Sequence, residues 1–208
     1  MKTIKDRYVL VGADRAGFPL KEVVVKHLKS KGWKVTDIGV KSAKEKKPEM
    51  FHRIGLKVGA KIAEGEFERA LIFCGTGMGI HIAASKCPHV HCGVVESVPA
   101  ALRAVTGNGC NILSMGAWYV APQMGMEMAE TFLEHNMGDG HEYRKNFYEY
   151  HKLAKDELEA FDYEEFKKNN FKVKKLGEVE IAPPKYSVPA KPKQTAGKIR
   201  GKAQKKVK

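Results

Sequence analysis

The sequence offers little that would cross-link the chain, anchor it in a bilayer or hold a metal. Only four cysteines occur in 208 residues (Cys74, Cys87, Cys92, Cys110), and none has C-x-x-C spacing. That argues against a disulfide scaffold or a zinc ribbon; with eight scattered methionines it suits a reducing compartment. Apolar runs such as YVLVGA and ALIF stop at strand length, so no membrane-spanning helix is expected. The first residues, MKTIKDRYVLVG, contain too short an apolar stretch for a secretory signal, and a cytoplasmic location is expected. Acid is absent from residues 185–208, which carry eight Lys and one Arg, whereas the preceding 184 residues hold 28 basic and 24 acidic residues. The net charge of +13 is therefore mostly a property of the tail, and the main body lacks the signature of a nucleic-acid-binding domain. At 43% hydrophobic residues the chain can bury a core, which excludes global disorder.

What is present is an alternation of short β-type runs with amphipathic helix-length stretches. Residues 8–13 (YVLVGA), 33–39 (WKVTDIG), 70–74 (ALIFC), 90–96 (VHCGVVE) and 111–116 (NILSMG) read as strands. Helices are expected in between: FPLKEVVVKHLKS with Leu20, Val24 and Leu28 on one face, residues 53–65 despite two internal glycines, IHIAASK, VPAALRAVT and PQMGMEMAETFLEHN. Five strands with five such helices predict an α/β fold, a Rossmann-like three-layer sandwich on a parallel sheet, over residues 1–140. Residues 141–184 are expected to form a helical extension of one or two helices starting near His141. Residues 185–208 should form a disordered basic tail. Ligands on such sheets sit at the carboxyl ends of the strands, which directs attention to the loops that follow them.

The richest of those loops is Cys74-Gly75-Thr76-Gly77-Met78-Gly79-Ile80. Alternating glycines at a strand-to-helix turn let backbone N–H groups converge on an anion: a phosphate, a carboxylate or a developing enediolate. The plainer alternative is a tight turn. Dinucleotide binding is disfavoured, because Ile80 stands where G-x-G-x-x-G needs glycine or alanine and the loop follows the third strand, not the first. Cys74, at the tip of a buried strand beside the loop, can serve as nucleophile or base, or be a small packing residue. Cys87, Cys92 and Cys110 read as packing residues. Asp14 and Arg15 offer a hydroxyl acceptor and an anion clamp after the first strand, or a surface ion pair. Asn108 is a turn residue or a ligand contact. A lone His141 is expected to be solvated.

Taken together, the segments ADRAGFPLK, CGTGMGIHIAASK and GNGCNILSMGAW resemble the type B ribose-5-phosphate isomerase and galactose-6-phosphate isomerase family over roughly residues 7–145. The resemblance implies aldose–ketose isomerisation through a cis-enediolate, no cofactor, and a homodimer with active sites at the subunit interface. Carried over, Cys74 is the proton-transfer base, Thr76 an accessory polar group, and Gly75, Gly77 and Gly79 the anion loop. Asp14 and Asn108 contact substrate hydroxyls. The departures are informative. Arg15 replaces the family's histidine after Asp14, Gly107 stands where a ring-opening histidine belongs, and Phe51 replaces a tyrosine. Of two phosphate-binding arginines, Arg144 matches one and Gly140 occupies the other position. A site without a ring opener and with half a phosphate clamp suits an open-chain sugar acid, its carboxylate held by Arg15. An open-chain deoxy-hexosulose uronate is the leading substrate expectation, since members with a helical C-terminal extension resemble the isomerase of 4-deoxy-L-threo-5-hexosulose uronate. Ribose 5-phosphate or galactose 6-phosphate is the alternative. Two other classes stay open: a non-catalytic partner subunit, and a nucleic-acid-associated protein that uses its lysine tail, for which base-stacking aromatics are lacking beyond Tyr186.

Overall fold

A computed structural model describes residues 1–180. The basic tail expected from residue 185 lies outside the described residues. Five strands, β1 (Tyr8–Ala13), β2 (Lys34–Asp37), β3 (Ala70–Cys74), β4 (Cys92–Val94) and β5 (Ile112–Gly116), form one wholly parallel sheet in the order β2-β1-β3-β5-β4. The helices between and after them are α1 (Phe18–Ser30), α2 (Phe51–Ala63), α3 (Met78–Ala84), α4 (Val98–Thr106) and α5 (Pro122–Glu134).

Alternation along the central strands builds the two layers of core. Val9, Val11, Leu71, Phe73, Leu113 and Met115 point to one face and pack with α1, α4 and α5 residues such as Val24, Ala101 and Phe132. Leu10, Ile72 and Ile112 point to the other face, against Ile54 and Val58 of α2 and Ile80 of α3. With both faces covered, β3 is buried at every position, which is why it reads as an unbroken apolar run. The two glycines inside α2 weaken its intrinsic helix propensity by roughly 1 kcal/mol each relative to alanine. They are where α2 meets α3: a Cβ at Gly55 would come within 2.5 Å of the Ile80 carbonyl oxygen, and one at Gly59 within 2.7 Å of that of Ala84. Start signals act as expected elsewhere. Ser97 accepts a hydrogen bond from the Ala100 N–H at 3.3 Å to cap α4, and a proline lies in the first turn of α1, α4 and α5.

The extension contains two helices, α6 (Phe147–Glu159) and α7 (Tyr163–Lys168). The first begins six residues later than expected from the sequence, because Gly138, Gly140 and Asn146 all take left-handed backbone conformations (φ 95°, 74° and 61°) that keep residues 138–146 in turns. At one end of α6 the Phe147 ring is buried between His141 and His151, with centroids 3.9 and 4.1 Å away. At the other end the Glu159 carboxylate meets His89 Nδ1 at 2.7 Å and His91 Nε2 at 2.6 Å. Burial alone would raise the Glu159 carboxyl, but the two histidines outweigh it and hold that carboxyl below its ordinary value. Among the described residues, no helix is long and apolar enough to cross a membrane.

Candidate active site

The chain runs outward from β1 to β2 on one side and to β3 on the other, so the crevice at the carboxyl ends of β1 and β3 is the topological switch point of this sheet. Asp14 follows β1 directly, and its N–H bonds the carbonyl of Phe73, the residue before Cys74, at 3.3 Å. Gly17 packs so closely behind that a Cβ there would lie 2.3–2.7 Å from the Phe73 carbonyl group and the Cys74 nitrogen. Asp14, Gly17 and Cys74 are thus one wall. The Asp14 Oδ1 accepts the Gly17 N–H at 2.8 Å. Partial burial raises the Asp14 carboxyl above its ordinary value against the pull of the Gly17 and Ala16 N–H groups.

Cys74 ends β3 with 5% of its surface exposed. Its sulfur accepts the Gly77 N–H at 3.1 Å. Gly77 sits at φ +76°, in the left-handed region, and precedes α3. The Ser114 hydroxyl, from the middle of β5, donates to the Gly77 carbonyl at 2.6 Å. The Thr76 hydroxyl accepts the Met78 N–H at 3.3 Å. Of the amides that open α3, that of Met78 is thus engaged, while those of Gly79 and Ile80 have no intrahelical acceptor and are available to an anion. Two aromatic rings wall the loop: a Cβ at Gly75 would come within 2.7 Å of the Trp118 ring, and one at Gly79 within 2.6 Å of the Phe51 ring. Gly79 is not in a left-handed conformation, so its lack of a side chain makes room for Phe51 and does not relieve the backbone. Arg15 is exposed at the same edge, its guanidinium donating to the Glu45 carbonyl; it forms no ion pair with Asp14.

The other three cysteines differ in setting. Burial pushes the Cys110 thiol up to about 11, and raises those of Cys92 and Cys87 as well. They stay protonated at neutral pH, in keeping with packing roles. Among the described residues, no group of three or more His, Cys, Asp or Glu side chains could hold a metal.

Two expected site residues are not brought to this crevice within one chain. Cys74 pairs with Gly116 at the carboxyl edge of the sheet, whereas Asn108 lies between the end of α4 and the start of β5, at the amino edge. The five residues of β5 separate those edges by about 15 Å. Arg144 belongs to the amino edge too, because the Gly138 N–H bonds the Thr106 carbonyl at 2.8 Å and the Arg144 N–H bonds the His141 carbonyl at 2.9 Å. There a second constellation gathers. Asn108 Nδ2 reaches the Arg103 carbonyl at 3.4 Å, Arg103 Nη1 faces His141 Nδ1 at 3.5 Å, and the Arg144 guanidinium lies 5.2 Å over the Phe147 ring. His141 is not solvated, as its position suggested, but 4% exposed and stacked on Phe147. Its pKa is lowered by burial first and then by Arg103 and Arg144, so it stays neutral between two cations. Arg103 was not singled out from the sequence. It reads as one polar residue of an amphipathic helix, and only the turn at 138–144 gives it company.

The family model described as Ribose/Galactose Isomerase matches residues 9–150. A 4-deoxy-4-sulfo-D-erythrose isomerase of Clostridium sp. is 46% identical over 125 residues, covering 60% of this chain and 77% of that protein. A D-erythrulose-4-phosphate isomerase 2 of Mycolicibacterium smegmatis is 31% identical over 132 residues, covering 62% of this chain and 83% of that protein. Among solved structures, ribose-5-phosphate isomerase B of Clostridium thermocellum aligns with a TM-score of 0.65 at 26% identity, covering 78% of this chain and 99% of that one.

Proposed function

The chain belongs to the ribose/galactose isomerase family and is an aldose–ketose isomerase, and we propose that its substrate is an open-chain aldose ending in a strong anion, a four-carbon sulfonate first. The observation that carries this reading is Gly107, where a ring-opening histidine is expected, at the tail of a helix where an added Cβ would come within 3.2 Å of the Arg103 carbonyl oxygen. The most similar relative described above is named for 4-deoxy-4-sulfo-D-erythrose. Replacing O4 of a tetrose by sulfonate removes the only hydroxyl that could close a furanose. Phosphorylating O4, as in the erythrulose 4-phosphate of the second relative, blocks it equally. Neither sugar needs a ring opener. A deoxy-hexosulose uronate shares the open chain and anionic end and remains within this class.

Cys74 acts as the base. Its sulfur takes the proton from C2; the freed electron pair forms the C1–C2 double bond, and the carbonyl pair moves onto O1. The loop amides not already engaged by Cys74 or Thr76, such as those of Gly79 and Ile80, receive that negative charge. The proton on O2 then passes to O1, a transfer for which Asp14 is placed as hydroxyl acceptor. C2 becomes the carbonyl while Cys74 returns its proton to C1. Thr76 holds the loop and offers a hydroxyl to the substrate.

The anionic end is held by a second copy of the chain. Arg103, Asn108, His141 and Arg144 stand at the wrong edge to serve their own Cys74, and Arg103 has no ion pair among the described residues. Met50, Met78, Trp118 and Tyr119 ring the Cys74 crevice and are each more than half exposed, as a face awaiting a partner would be. A homodimer in which the amino edge of one protomer meets the carboxyl edge of the other joins the two constellations twice, by symmetry. The test mixes two inactive variants, Cys74→Ser and the double variant Arg103→Ala/Arg144→Ala, by co-refolding, with 4-deoxy-4-sulfo-erythrose as substrate. Half the dimers are then mixed and each has one intact site, so activity should return to about a quarter of the wild-type level. No recovery would rule out the shared site, and no turnover by the wild-type chain would rule out this substrate.

A further inference from the structure

We propose that Ser114 is a positioning residue for Cys74: its hydroxyl holds the Gly77 residue, and through it keeps the Gly77 N–H on the cysteine sulfur. The inference rests on the reading of Cys74 as the base and adds a group outside the loop that governs it.

Ser114 lies in the middle of β5, opposite Ile72 of β3 on one side and Val94 of β4 on the other, with no exposed surface. It is a polar residue in an otherwise apolar layer, and its hydroxyl reaches out of the strand to the Gly77 carbonyl at 2.6 Å. The same glycine donates its N–H to Cys74 Sγ at 3.1 Å. The line of contact is therefore Ser114 Oγ, Gly77 O, the Gly77 Cα, Gly77 N and Cys74 Sγ.

Gly77 needs such a restraint. At φ +76° and ψ −20° it occupies a region where only glycine is at ease, and glycine has the widest torsional freedom of any residue. Without a Cβ it has no side chain with which to fix itself. Among the described residues the other hydrogen bond on its carbonyl comes from the His81 N–H, at 3.4 Å near the limit of a useful bond. The serine thus ties Gly77 to the sheet. An N–H aimed at sulfur fixes the direction in which the sulfur meets the substrate carbon. If the Gly77 backbone rotates, that contact is lost and the base is no longer held for the transfer. A serine serving only to satisfy a buried carbonyl would affect stability and leave the sulfur alone.

The test uses the full-length chain and two variants, Ser114→Ala and Ser114→Cys, the second keeping the size with a weaker donor. Alkylation of the Cys74 peptide by iodoacetamide at neutral pH is followed by mass spectrometry. In Ser114→Ala its rate should fall about tenfold relative to those of the other cysteines, with a smaller fall in Ser114→Cys. Near neutral pH, kcat should fall about tenfold with KM nearly unchanged. An unchanged alkylation rate in a folded variant overturns the inference. A slowed alkylation in a protein whose Cys74→Ala variant keeps its turnover overturns the reading of Cys74 as the base and leaves the positioning role standing, so the two failures are distinguishable.

Discussion

Cys74→Ala is expected to lower turnover by at least about 10²-fold, the low end for removing a positioned acid–base group, while the thermal midpoint stays close to that of the parent. The side chain is small and buried at the tip of β3, so alanine keeps most of its packing and loses the one atom that can carry a proton. The price is the bond from the Gly77 N–H, which leaves the loop one contact short. Stopped assays of aldose-to-ketose conversion, read beside a thermal melt, separate the effects. Near-normal turnover would transfer the proton step to another group and end this assignment.

Gly77→Val is expected to do more, because it damages both the loop and the sheet behind it. A left-handed conformation costs an ordinary residue roughly 1–2 kcal/mol, and a β-branched one more. The added Cβ would also lie 3.0 Å from the Gly116 nitrogen and 3.1 Å from the Met115 carbonyl carbon, backbone atoms that cannot swing aside. Relief by rotating the peptide would take the N–H off the cysteine and the carbonyl off Ser114. Activity should fall by at least about 10²-fold, the low end for displacing a positioned acid–base group, with an overpacking cost of roughly 1–3 kcal/mol in stability. Gly79→Val should be milder. There the obstacle is the Phe51 ring, which is 37% exposed and free to turn. Equal losses in the two variants, measured as kcat/KM and melting temperature, would show that backbone conformation at Gly77 is not what matters.

Much of this molecule was legible in the sequence where one local signal sufficed. β1, β3 and α4 fall where hydrophobic pattern and capping residues place them. The glycine loop beside Cys74 was conspicuous by composition alone. Signals that depend on distant partners were not legible. β4 spans only Cys92–Val94 of the expected 90–96, because it is an edge strand with a single neighbour, and that follows from β5 inserting between β3 and β4. His141 was read as solvated, since nothing in its own neighbourhood announces Phe147 as a stacking partner. Ser114 looks like a strand residue until Gly77, 37 positions away, is found above it. Arg103 and His141 are likewise 38 positions apart. In each case the chemistry resides in a long-range meeting of residues that are ordinary where they stand.

The central claim is that this isomerase works on sugars that are already open. Ribose 5-phosphate retains the hydroxyl that closes a furanose and galactose 6-phosphate the one that closes a pyranose, while 4-deoxy-4-sulfo-erythrose cannot close a furanose. General acid–base assistance to ring opening is typically worth about 10²–10⁴-fold, and the position expected to supply it here is Gly107. The decisive measurement is kcat/KM for these three and the deoxy-hexosulose uronate, side by side with one enzyme preparation. The open-chain substrates should exceed both ring-forming phosphates by at least about 10²-fold; faster turnover of ribose 5-phosphate or galactose 6-phosphate would contradict the account.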